Sequence, residues 1–133
     1  MSYFLDTNIC IYYMNGKSLS LTKNLWSHQP QEIKLSSVVV AELFYGVKKS
    51  VKYIANISKL EIFLKPLEII PFDAGAAEYY GDIRASLEPK GKIIGGNDMM
   101  IAATVLSRGG ILVTNNTKEF LRVENLNVEN WAD

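Results

Sequence analysis

The chain has 133 residues, 48% apolar and 21% charged, with 14 Lys plus Arg balancing 14 Asp plus Glu. A neutral total argues against a protein that holds nucleic acid by bulk charge alone, although an acidic metal site would cancel basic residues elsewhere in the count. The single cysteine, Cys10, excludes an internal disulfide and fits a reducing cytoplasm, and with no basic segment before a long apolar run and no stretch of about 18 apolar residues, neither a secretory leader nor a membrane span is expected.

Residues 3–6 read as a short apolar strand. A helix follows over 7–13, with Thr7 or Asn8 available to cap it. Residues 16–20 break the pattern, and a short helix around 21–26 comes next. Residues 33–35 form a second strand, and Ser36 or Ser37 caps a helix over 38–48. Apolar residues at Val51, Ile54, Ile57, Leu60 and Leu64 predict a helix from about 51 to 64, ended by Pro66. Residues 67–71 are a third strand, and 74–87 have helical spacing that stops before Pro89. Residues 98–107 are a short apolar helix closed by Arg108-Gly109-Gly110. A fourth strand covers 111–114, and 128–131 form a short edge strand.

Strands separated by helices imply parallel pairing through right-handed crossovers. The expected fold is a three-layer α/β/α sandwich with a mostly parallel central sheet, one domain over residues 1–133. Ligands in such sheets bind outside the carboxyl ends of the strands. That position singles out Asp6 after the first strand, and Asn115 and Asn116 after the fourth.

Two further acids sit in apolar company. Glu42 lies in VVVAELFYGV, where helical spacing surrounds it with Val38, Val39, Tyr45 and Gly46 and puts no Lys or Arg a turn away. Asp98 opens the apolar helix of GGNDMMIAATV, in which Ala102 and Ala103 allow close packing. Each acid alone has an ordinary reading: Asp6 and Asp98 as helix caps, Glu42 as an exposed helix residue. His28, near Pro30 in a polar stretch, reads as surface, and Cys10 as core. Three carboxylates on three elements, which parallel topology can bring to one edge of the sheet, are another matter. They raise each other's pKa unless a cation joins them. Oxygen ligands without His or Cys suit Mg²⁺ or Mn²⁺, not zinc. Residue types alone thus point to metal-dependent phosphoryl transfer. A hydrolase with an aspartyl nucleophile fits less well, because the second Asp it needs two residues on is Asn8 here.

Five stretches carry a resemblance: FLDTNICIYY at 4–13, SSVVVAELFYG at 36–46, GGNDMMIAA at 95–103, LVTNNTKEF at 112–120 and ENW at 129–131. In this order and spacing they resemble the PIN-domain ribonucleases, and among them the VapC toxins of type II toxin–antitoxin pairs. The resemblance implies that Asp6, Glu42 and Asp98 are metal ligands for Mg²⁺, with Mn²⁺ able to substitute. It puts Asn116 where a fourth acid often stands, with Glu119 three residues on, which leaves the second metal in doubt. Thr7 and Asn8 are expected to orient Asp6, and Thr114 to support the loop of Asn116. The implied reaction is endonucleolytic hydrolysis of RNA, transfer RNA foremost and initiator tRNA among the candidates, leaving 5′-phosphate and 3′-hydroxyl ends without help from a histidine. The implied partners are a VapB-like antitoxin, whose C-terminal segment covers the acids from a groove, and a second copy of the chain in a homodimer. DNA is reached only through the antitoxin, and no membrane is involved. Leu25, Trp26, Ile54 and Ile57 are candidates for the groove, with core packing as the alternative. The competing reading of the whole chain is a catalytically impaired PIN-fold module that only binds antitoxin or RNA, and Asn116 is its support.

Overall fold

The computed structural model describes residues 1–133. Five strands are formed: β1 (Tyr3–Leu5), β2 (Ile33–Ser36), β3 (Glu68–Ile70), β4 (Ile111–Val113) and β5 (Asn127–Glu129). They make one sheet in the order β3-β2-β1-β4-β5, and every neighbouring pair is parallel. The helices are α1 (Thr7–Met14), α2 (Leu19–Trp26), α3 (Ser37–Lys48), α4 (Tyr53–Leu64), α5 (Ala74–Leu87), α6 (Gly96–Ser107) and α7 (Thr117–Phe120). The three-layer α/β/α arrangement expected from the alternation is present. No helix is long and apolar enough to cross a membrane.

The sheet is held from both faces. Phe4 and Leu5 of β1, Leu35 of β2, and Leu112 and Val113 of β4 are all buried, as expected of parallel strands covered on both sides. Helix α6 is buried nearly all round through Met99, Ile101, Ala102, Ala103, Thr104 and Val105. Its small residues let α5 pack closely along it. Gly110 sets the approach of β4 to β1: a Cβ there would stand 2.7 Å from the Phe4 ring and 3.0 Å from the Ser2 carbonyl oxygen.

Several boundaries differ from expectation. The first strand ends at Leu5, and neither Thr7 nor Asn8 caps the helix that follows; Asp6 does. Ser36 is the cap of α3, accepting from the Val38 amide at 3.1 Å. Helix α4 starts at Tyr53, and Val51 is fully exposed at 102%. Of the five apolar positions that predicted this helix, Leu60 is buried, Ile57 and Leu64 are half-buried, and Val51 and Ile54 are exposed. Strand β3 spans only the middle of the predicted run, and β5 begins and ends earlier than predicted. Helix α7 and the 3₁₀ turn Pro30–Glu32 are too short to show a periodicity. His28 is not a plain surface residue. Its ring is half-buried, stacked on Trp131 at 4.8 Å and edge-on to Tyr3 at 4.5 Å.

Candidate active site

The strand order places a topological switch at β1: the chain runs outward through β2 and β3, then returns to the other flank as β4. The carboxyl end of such a switch is where a crevice opens in an open parallel sheet. Leu5 pairs with Val113 in register, so Asp6 and Thr114 emerge side by side at that crevice.

Asp6 is 5% exposed. One carboxylate oxygen accepts from the Ile9 amide at 2.9 Å, which caps α1. The other accepts from the Thr114 hydroxyl. The Thr114 oxygen in turn accepts from the Asn116 amide at 2.9 Å. A single relay therefore runs from the β4–α7 loop to the acid at the end of β1. Burial raises the Asp6 carboxyl above its ordinary value, and Glu42 adds to this, while the Thr114 and Ile9 donors pull the other way. Capping and a site role are thus not alternatives for Asp6, since the cap fixes the direction in which the carboxylate points.

Glu42 projects from α3. One of its oxygens takes the Thr7 hydroxyl at 2.5 Å, and the other takes the Asn97 amide at 3.2 Å. Thr7 therefore positions Glu42 and not Asp6, and Asn8 is exposed and makes no part of the carboxylate network. Asn97 is a member of the site that the sequence motifs alone do not single out. Its one signal is a polar residue beside Asp98 at the head of an otherwise apolar helix.

Asp98 does not cap α6. Gly95 holds the cap position, and Asp98 sits in the first turn, where the helix dipole favours an anion. Its carboxyl is nonetheless raised to about 6, first by burial and then by Glu42, Glu119 and Asp6. The cause is informative, because charges from the end of β1, from α3 and from α7 all act on one group of α6. Asn116 stands at the start of α7 with its side chain capping nothing, and Glu119 lies within that short helix. Cys10 is fully buried, and burial next to Asp6 pushes its thiol well up, which makes it core and not a nucleophile.

As placed, no three of these acids stand near enough together to hold an ion. Asp6 and Glu42 have both oxygens occupied by protein donors. The donor set is still one of hard oxygens with no nitrogen or sulfur, and the crowding at Asp98 is what a divalent cation relieves. In donor chemistry Asp6, Glu42 and Asp98 fit such an ion.

Two hollows share walls beside α1, and the smaller reaches Glu42. One, of about 860 Å³, is walled by α1, α2 and α4 and lined by Met14, Leu25, Trp26, Ile62, Phe63 and Leu67 among others. A second, of about 230 Å³, shares Met14 and Lys59 with it and reaches Glu42. Of the four residues expected to line a groove, Leu25 and Trp26 do, Trp26 being 73% exposed, while Ile54 and Ile57 line neither hollow.

An all-parallel sheet in this order with an acidic crevice at its switch point defines a PIN domain, and the family model for the PIN domain matches residues 3–126. Ribonuclease VapC2 of Rickettsia felis is 52% identical over 132 residues, 98% of each chain. The tRNA(fMet)-specific endonuclease VapC of Shigella flexneri is 40% identical over 132 residues, 99% of each. The solved VapBC2 complex of Rickettsia felis, bound to a DNA fragment from its promoter, contains a chain that superposes with a TM-score of 0.91 at 50% identity, covering 98% of this chain and 99% of that one. The chain belongs to the VapC family of PIN-domain ribonucleases, enzymes that depend on a metal.

Proposed function

We propose that the protein is the toxin of a type II toxin–antitoxin pair and cleaves RNA with Mg²⁺ held by Asp6, Glu42 and Asp98. The observation that carries this reading is the bonding of Glu42: one oxygen accepts from Thr7, next to Asp6, and the other from Asn97, next to Asp98, so acids of three elements meet at one place, and their charges raise the Asp98 carboxyl. When bound, a divalent ion would supply charge for the developing phosphoryl oxygens and would lower the pKa of a water, so that it gives up a proton and becomes the better nucleophile.

The chain's own residues supply position. Asp6 is aimed by the Ile9 amide and the Thr114 hydroxyl, and Glu42 by Thr7 and Asn97. Asn116, through its backbone amide, fixes the Thr114 hydroxyl, and its uncharged side chain adds no fourth full ligand charge. One firmly held ion, with a second arriving on the substrate phosphate, matches that donor count.

Transfer RNA is the substrate we favour, supported by the endonuclease of Shigella flexneri named for tRNA(fMet). The partner we favour is a VapB-like antitoxin, supported by the VapBC complexes among the similar structures. Its segment would lie along the hollow of Leu25, Trp26 and Phe63 and continue to Glu42. A basic antitoxin side chain at the acids would replace the metal's charge, and promoter DNA would be reached through the antitoxin. We further propose a homodimer acting in the cytoplasm, where transfer RNA is found.

The test uses purified protein, total tRNA and sequencing of the 5′ ends of fragments. Cleavage is expected with Mg²⁺, none in EDTA, and a loss of at least about a hundredfold in Asp6→Asn, Glu42→Gln and Asp98→Asn, the cost of roughly 3 kcal/mol of transition-state charge stabilisation. A folded wild type that cuts no RNA with Mg²⁺, or acid variants that stay equally toxic in cells, returns the case to a binding module.

A further inference from the structure

We propose that a basic cavity beside the acids is a phosphate-binding subsite, gripping the RNA strand that flanks the scissile bond. The cavity, of about 310 Å³, is lined by Leu87, Lys90, Lys92, Lys118, Leu121 and Arg122. Its charged lining is entirely cationic. The protein's ion pairs are Lys34 with Glu68, Arg84 with Glu88 and Arg108 with Asp73, so none of these four cations is neutralised by a partner. Asp82 and Glu124 line the adjoining hollow with Arg122, yet neither forms an ion pair with it.

The backbone under these side chains is fixed. The amides of Lys90 and Lys92 both donate to the Leu87 carbonyl at 3.2 Å, and that of Gly91 donates to Glu88 at 3.0 Å. Gly91 has φ +63°, a left-handed turn that a side chain would strain. On the other wall, the Leu121 amide donates to Thr117 at 2.9 Å and the Arg122 amide to Glu119 at 3.1 Å. Four long cationic side chains thus rise from two locked turns.

Both walls are joined to segments that carry the acids. Lys118 lies two residues beyond Asn116, whose amide bonds the Thr114 hydroxyl that is held by Asp6. Three residues separate Lys92 from the start of α6, which carries Asp98. The need for such a patch is physical and rests on the reading of the acids as an RNA-cleaving site. A crevice of carboxylates repels a polyanion, and a chain of zero net charge offers no bulk attraction. Affinity for RNA must then come from cations segregated next to the acids. The lining holds no aromatic ring for base stacking, and three of its four cations are lysines, point charges suited to phosphate more than to base edges. An acidic polypeptide would need more apolar purchase than two leucines provide.

The test measures binding of a labelled single-stranded RNA in EDTA, where nothing is cut, over a range of salt. Wild type is compared with Lys90→Gln/Lys92→Gln, Lys118→Gln/Arg122→Gln and all four together. The salt slope is expected to flatten by about 0.7 for each phosphate no longer neutralised, up to about 3 in the fourfold variant, with affinity down at least about tenfold. With Mg²⁺, KM is expected to rise by a larger factor than kcat falls. The paired variants carry the test if the fourfold one does not fold. Unchanged affinity and slope, in a protein whose wild type cuts RNA, overturns the subsite and leaves the nuclease reading standing. An equal loss of poly-glutamate binding overturns the assignment to nucleic acid. Cation-dependent RNA binding by a wild type that never cuts removes the nuclease reading, and with it the scissile strand.

Discussion

Asp98 carries the clearest conflict of charge in the protein. Its carboxyl stands at about 6 against an ordinary 3.8, raised by burial and then by Glu42, Glu119 and Asp6. A carboxyl whose folded value lies above its unfolded one contributes stability that is complete below about pH 4 and lost as pH rises through about 6. At neutral pH the metal-free protein therefore folds against this charge. Asp98→Asn keeps the shape and removes the charge. In EDTA at pH 7 it is expected to be more stable than wild type by about 1 kcal/mol, the full shift being cut by more than half because the side chain is only half-buried. The same variant is expected to flatten the fall in stability between about pH 4 and 6. Mg²⁺ is expected to raise the Tm of wild type at pH 7 and to leave that of Asp98→Asn nearly still. Thermal melts across pH, with and without Mg²⁺, decide it. An Asn variant no more stable than wild type in EDTA means that the crowding of charge at Asp98 costs the fold nothing.

Between elements, the pairing that positions the site is that of β1 with β4, since Asp6 and Thr114 leave those strands side by side. Gly110 admits this pairing. An alanine there would put its methyl 2.7 Å from the buried Phe4 ring and 3.0 Å from the Ser2 oxygen, so β4 must shift outward or the ring must leave its place. Gly110→Ala is expected to cost about 1–3 kcal/mol in urea unfolding, as overpacking does elsewhere. It should also loosen the Thr114 hydroxyl on Asp6, so activity is expected to fall before the protein melts. An alanine variant as stable and active as wild type means the strands have more room than Gly110 implies. How far such features are legible in the sequence follows from the same geometry. The alternation of apolar runs declares the strands and the long helices, and Ala74–Leu87 is bounded as predicted. The three acids are visible as carboxylates in apolar sequence. What stays hidden are the cross-chain partners: Thr7 on Glu42 and Thr114 on Asp6 link residues 35 and 108 positions apart, and no local periodicity encodes them. The same holds for α4, where a helical repeat of apolar residues predicts a buried stripe whose first positions, Val51 and Ile54, the fold leaves exposed.

Across the whole molecule the labour is divided between an acidic crevice and an aromatic clasp. Tyr3 of β1, His28 beyond α2 and Trp131 beyond β5 stack together, with ring centroids 4.5 to 5.2 Å apart. Trp131 is buried, its indole donates to Glu129 at 2.9 Å, and its carbonyl takes the Ser20 hydroxyl at 3.0 Å. Ser18, which caps α2, also holds Asp133. The last residues of the chain thus pin α2 to the sheet. None of these bonds or stacks reaches Asp6, Glu42 or Asp98. Stability and catalysis are therefore separable by mutation. Removing a buried tryptophan costs about 3–5 kcal/mol through the packing it gives up and the cavity it leaves, against a total of about 5–15 kcal/mol for an ordinary domain. Trp131→Ala is expected to lose most of its margin in denaturant, while Trp131→Phe, which keeps the ring stack and gives up the indole hydrogen bond, loses about 1–2 kcal/mol. Below its melting point Trp131→Ala is expected to cut RNA at close to the wild-type kcat. A large drop in kcat at a temperature where the variant is fully folded would mean that the clasp is coupled to the crevice through α2 and α1, and that stability and catalysis are not separable after all.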